Sequence, residues 1–193
     1  HFQPEHSTTP QGSHFSDQLL AFDIIIQSIP KEMTLYVKEH PQQYTEAAYE
    51  THFRSVDFYK YMRKHKNVEF LSMNFPTKDL IQKASFIFSI NGSITWESIS
   101  MNRVAFTFGW SWFSSCKSCM VVDSVNSLKQ AMIIADKKTF KDVKYDKEQF
   151  IREAYLRSIN APPNMYATQY LDKNFDFKKS IERLARNIIK KNN

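Results

Sequence analysis

Glycine is scarce in this chain: Gly12, Gly92 and Gly109 are the only three in 193 residues. Each therefore points to a place where backbone conformation or a close approach asks for it. Long apolar runs are missing too. The run Ile24-Ile25-Ile26, for example, is broken by Asp23 and Gln27, far short of the roughly 20 residues that cross a bilayer. No signal peptide is visible. Cysteine is limited to Cys116 and Cys119. A zinc site takes about four ligands, and no second Cys or His pair stands at suitable spacing, so this Cys-x-x-Cys reads as two thiols in a reducing cytoplasm. No zinc-finger spacing, aromatic RNA-binding signature or basic region with heptads occurs, which argues against a nucleic-acid partner. No Asp-x-Asp element, internal repeat or low-complexity tract is found. The chain starts at His1 within a polar, Pro-containing stretch, as expected of a fragment with an upstream part missing.

What is present fits a globular α/β protein. Hydrophobic residues make up 42% and charged residues 24%, and sixteen of the aromatics are Phe; these are ordinary proportions apart from the aromatic excess. The net charge of +6 favours anionic partners such as a nucleotide or a phosphorylated lipid. Residues 1–14 read as an irregular linker. Ser16-Asp17 opens a helix carrying Leu19, Leu20, Ile24 and Ile26, closed by Pro30. Strands are expected at Met33–Val37, Val68–Leu71, Phe86–Ile90 and Val104–Phe108. Helices are expected at Ser55–His65, Pro76–Ala84 and Ile94–Met101. Alternation of this kind builds βαβ units, here a Rossmann-like doubly wound parallel sheet over 15–125. Further helices at Ser127–Ala135, Lys147–Leu156 and Phe177–Lys191 make 126–193 a C-terminal helical region. The last of these pairs an apolar stripe with Lys178, Lys179, Arg183, Arg186, Lys190 and Lys191, a pattern that serves a core or a membrane surface.

In open α/β sheets ligands bind outside the carboxyl ends of the strands, and three polar segments are expected to converge there. Asn91-Gly92-Ser93-Ile94-Thr95-Trp96-Glu97 joins a strand to a helix start, where free N–H groups and the helix dipole suit a phosphate. Ser93 and Thr95 add hydroxyls. Glu97, four residues after Ser93, shares its helix face and can accept from a ribose diol. The plainer alternative is that Ser93 caps the helix while Glu97 complements its dipole. Lys38-Glu39-His40-Pro41 offers a point charge from Lys38 and a proton donor in His40, or an ordinary polar loop. Gly109-Trp110-Ser111-Trp112-Phe113 offers aromatic faces for a base or sugar, or a loop folded back on the core. Glu5 is a second catalytic candidate, in a polar cluster with His1 and His6.

Together these segments resemble the C-terminal half of bacterial capsule and surface-carbohydrate biosynthesis proteins. The resemblance rests on Gln3-Pro4-Glu5, Leu35-Tyr36-Val37-Lys38-Glu39-His40-Pro41, Phe58-Tyr59, Asp79-Leu80-Ile81, Asn91 through Ile99, and Phe108 through Phe113, in order, over residues 1–113. It implies one half of a GT-B glycosyltransferase, the half that binds a CMP- or UDP-sugar. By resemblance to Kdo and sialic-acid transferases with a His-Pro element, His40 and Lys38 would contact the leaving phosphate with Gly92, Ser93 and Thr95, and Glu97 would take the ribose or base. Gly-Ser at the turn and Thr95 before Trp-Glu depart from the family's usual residues. The general base and the rest of the cleft would come from an absent N-terminal domain, so this part would bind a donor without turning over alone. The expected acceptor is a glycan or glycolipid, the expected cofactor none, and the expected location cytoplasmic, with peripheral membrane contact through the basic C-terminal helix. Alternatives are a CDP-polyol phosphotransferase, a UDP-sugar epimerase-like enzyme, or a non-catalytic nucleotide- or protein-binding module.

Overall fold

Local capping chemistry sets where the helices begin. The Asp17 carboxylate accepts from the Leu19 N–H at 3.1 Å and starts α1 (Gln18–Ser28); Ser55 Oγ accepts from the Phe58 N–H at 3.2 Å and starts α2 (Val56–Arg63). These details come from a computed structural model, which describes residues 8–44, 54–157, 176, 178–182 and 186. β1 (Leu35–Lys38) and β2 (Val68–Leu71) pair in parallel with Leu35 opposite Val68. After α3 (Thr77–Lys83) come β3 (Phe88–Ser89), α4 (Ser93–Ser100), β4 (Ala105–Thr107) and β5 (Cys119–Val121). These three strands form a second parallel sheet in the order β3-β4-β5. Two helices follow, α5 (Val125–Lys137) and α6 (Phe140–Arg157).

The result is a mixed α/β chain with short parallel sheets, compatible with a Rossmann-like arrangement, and its hydrogen-bonded strands fall into two sheets. The strand expected over Phe86–Ile90 pairs only at Phe88 and Ser89, because the Ile90 carbonyl turns to the Gly109 N–H and the Thr107 hydroxyl instead. β5 was not expected at all. α6 begins at Phe140, ahead of the expected Lys147, since Thr139 and Asp142 close a reciprocal cap: Thr139 N–H to Asp142 Oδ2 at 2.7 Å and Asp142 N–H to Thr139 Oγ1 at 3.3 Å. The same Thr139 hydroxyl and amide hold the Asp142 carboxyl below its ordinary range.

The main core gathers Phe15, Ile25, Ile90, Phe106, Phe108, Val122, Leu128 and Met132 from the N-terminal turn, both sides of the β3-β4-β5 sheet edge, α1 and α5. Phe106 and Leu128 are wholly buried, each contributing about 1.5–3 kcal/mol relative to exposure. α1 lies against α5, where the Ser28 hydroxyl reaches the Val125 carbonyl at 3.5 Å. The chain divides into two compact units, residues 1–150 and 151–193. The first takes in α5. In the second, Arg157 pairs with Glu153 at 3.6 Å, and Arg186 with Glu182 at 3.6 Å; most of the amphipathic stretch 177–191 lies outside the described residues. Among the described residues no helix is long and apolar enough to cross a membrane.

Cys116 and Cys119 are free, buried thiols packed with Ile99 and Phe113. Beside them the Ser118 hydroxyl donates to Asp146 Oδ2 at 2.6 Å, and Lys138 forms an ion pair with the same carboxylate, tying α6 to β5. Burial pushes the Cys116 thiol up, and pushes Cys119 from an ordinary 9.0 up to about 12, with the neighbouring Cys116 adding to it. The thiolate is the reactive form, so neither cysteine should react with a thiol reagent near neutral pH until the protein is unfolded. The raised value also sets a sign. From pH 9.0 toward about 12 the unfolded chain releases this proton first, so stability should fall across that window and Cys119→Ala should flatten the fall. Titration of free thiols with and without denaturant, and melting of both proteins against pH, check this pair of expectations.

Candidate functional site

β3 leads through Ile90-Asn91-Gly92 into α4, and the helix start is built from inside. Gly92 is the capping residue, with extended backbone (φ −71°, ψ 157°) and no side-chain cap. Ser89 Oγ lies behind the turn, accepting from the Gly92 N–H at 3.1 Å and meeting Thr95 Oγ1 at 2.7 Å. Thr95 is completely buried, so its hydroxyl secures the turn and does not face outward. Ser93 is therefore the first helical residue and not the cap. Its N–H and that of Ile94 head the helix without intrahelical acceptors. The exposed Ser93 hydroxyl donates to Glu97 Oε1 at 2.9 Å. That bond realises the shared face expected from their spacing, and it puts a carboxylate over the first turn, where the helix dipole favours it.

The third polar segment joins this one directly. The Ser111 hydroxyl donates to the Asn91 carbonyl at 3.0 Å, the Gly109 N–H to the Ile90 carbonyl at 2.6 Å, and the Trp110 N–H to the Gln11 carbonyl at 3.1 Å. Asn91 itself is buried and its amide reaches Gln11 Oε1 at 3.3 Å. A Cβ added to Gly109 would stand 2.8 Å from the Gln11 carbonyl oxygen and 3.2 Å from that of Ile90; one on Gly12 would stand 2.6 Å from the Thr8 oxygen. Residues 8–16 thus close over the carboxyl ends of β3 and β4, with Phe15 edge-on to Phe108 at 5.0 Å. Asn91, Thr95 and Gly109 hold the rim together, while Ser93, Glu97 and Trp110 line its outer side.

Lys38 and His40 stand at the end of β1, in the other sheet. Lys38 Nζ donates to Thr77 Oγ1 at 3.0 Å; the exposed His40 accepts from the Gln42 N–H at Nδ1, 3.2 Å away. These contacts are with Thr77, the first residue of α3, and with Gln42 in the following turn. Glu5, with His1 and His6, lies outside the described residues.

Two features escape a sequence reading. Arg54 Nη2 donates to Gln18 Oε1 at 2.6 Å, its Nε lies 3.2 Å from Glu39 Oε1 with both side chains about nine-tenths buried, and its guanidinium covers Phe58 at 4.2 Å. Nearby, Glu39, Tyr59, Arg63, Phe70, Leu71 and Met73 line an open hollow of about 360 Å³. No local motif signals contacts between partners this far apart in the chain. Gln11 could have been suspected only from its place beside Gly12. Among the described residues no group of three or more His, Cys, Asp or Glu side chains is placed to hold a metal ion.

No protein-family model matches the chain, and no curated protein or solved structure matches it either.

The geometry makes Gly109 a packing residue. Gly109→Ala should destabilise the protein by about 1–3 kcal/mol, the usual cost of forcing atoms into a filled site, as read by chemical denaturation. An unchanged unfolding midpoint would mean that the Gln11–Gly109 approach is looser than 2.8 Å implies.

Proposed function

We propose that the chain is the donor-binding domain of a GT-B-type glycosyltransferase that uses a nucleotide-activated sugar, with the donor's phosphate at the start of α4. The observation that carries the reading is the helix start itself. It follows a parallel strand, is capped by glycine, leaves the Ser93 and Ile94 N–H groups at its head, and carries an exposed hydroxyl there. Backbone donors and a helix dipole bind a phosphate without a metal ion. Lys38 and His40 would meet the leaving phosphate from the β1 side. In this reading the general base and the glycan or glycolipid acceptor belong to the opposite face of the cleft, on an N-terminal domain.

Gly92→Asp tests this without unfolding the site. The Gly92 backbone is extended with negative φ, and aspartate is a better cap than glycine by a few tenths of a kcal/mol. The variant should therefore melt at the same temperature as the parent or slightly above it. Its charge would sit where the phosphate is proposed to bind. In a thermal-shift panel of CMP, CDP, UDP, GDP and ADP, one nucleotide at a hundred times its Kd should stabilise the parent by about 2.7 kcal/mol and leave Gly92→Asp unmoved. A nucleotide shift that survives in Gly92→Asp, or no shift with any of the five, would overturn the reading.

A further inference from the structure

The three tryptophans of the chain, Trp96, Trp110 and Trp112, all belong to the outer side of this rim. Trp96 lies on α4; Trp110 and Trp112 flank Ser111, which is bonded to the Asn91 carbonyl. Trp112 packs against Trp96 at 4.9 Å and Phe150 at 5.8 Å, both tilted, and edge-on with Phe113 at 5.4 Å. Even so it is 66% exposed, and Trp110 is 67% exposed. An indole fixed by aromatic neighbours yet open to solvent is a surface with its orienting cost already met.

The polar groups beside it narrow the ligand. Ser93 is three residues before Trp96, on the adjoining helix face, and its partner Glu97 follows Trp96 directly. On α4 and residues 109–116 Glu97 is the one charged side chain. A carboxylate there accepts hydrogen bonds and calls for a ligand that donates them. A purely apolar protein surface would strip water from Glu97 without supplying donors. What fits is an uncharged ring with a C–H face and a rim of hydroxyls. We infer that Trp112, Trp110 and Glu97 form a subsite for a pyranose ring of a glycan, its C–H face on the indole and its hydroxyls donating to Glu97. The choice of a sugar over another flat, hydroxylated ligand rests in part on the donor-domain reading, which the same helix start serves.

Because no tryptophan lies elsewhere, tryptophan emission, excited where tyrosine does not absorb, reports on this surface. Cellotriose, chitotriose and maltotriose carry neither phosphate nor base, so their binding is independent of a nucleotide. At least one should give a saturable change in emission, and saturation-transfer NMR should show its ring protons in contact with the protein. Trp112→Ala should abolish the transfer, Glu97→Ala should weaken it, and circular dichroism should show both variants folded. If none of the three sugars changes emission or receives saturation, the subsite does not exist. Transfer that persists in Trp112→Ala would also overturn it, as would an emission change with phosphatidylglycerol vesicles and none with the sugars. Failure here leaves the nucleotide panel untouched, and failure of that panel leaves this test standing.

Discussion

The backbone at Gly109 approaches that of Gln11 and Gly12 so closely that a side chain would collide with a carbonyl oxygen 2.8 Å away. That approach lets residues 8–16 seal the carboxyl ends of β3 and β4, and it decides what the rest of the rim can do. With the turn in place, Asn91 must bond inward to Gln11, and Ser111 must bond to Asn91. Phe15 enters the core beside Phe108. The groups left facing out are the first residue of α4, Glu97, and the indoles of Trp110 and Trp112. Gly12 is needed by its own close approach to the Thr8 carbonyl at 2.6 Å, and Gly92 caps the helix at this rim.

Much of the element pattern is legible in the sequence where the signal is local. Asp17, Ser55 and Gly92 mark helix starts; Val68–Leu71 carries Val68 and Phe70 between turns, and it pairs over its full length. β5 is illegible because it is three residues long and begins on the last residue of Cys-x-x-Cys, where the chemistry of sulfur draws the eye before the strand does. The start of α6 is a matter of reading: Thr139 and Asp142 stand at capping-box spacing, but the apolar residues that confirm a helix come later.

The site divides along similar lines. Spacing alone put Ser93 and Glu97 on one face, and they meet. Spacing says nothing about which of several rim hydroxyls points inward, since Thr95 is committed to Ser89 by the shape of the turn. Nor does it reveal that β1 and β3 belong to separate hydrogen-bonded sheets, which leaves Lys38 and His40 with partners of their own. The buried Arg54–Glu39–Gln18 contacts are tertiary throughout. Electrostatically the rim is a compromise: a helix start that attracts an anion already holds one carboxylate, so any phosphate there must share the first turn with Glu97 or move it aside.

The most direct test of that compromise is an amide NMR titration of the whole chain with the nucleotide diphosphates CDP and UDP. The account predicts that the Ser93 and Ile94 amide protons move downfield together and saturably with one of them, as they do when they take up a phosphate oxygen, while Thr95 moves little. Shifts confined to the hollow between Glu39 and Arg63, or to no residue of α4, would contradict it.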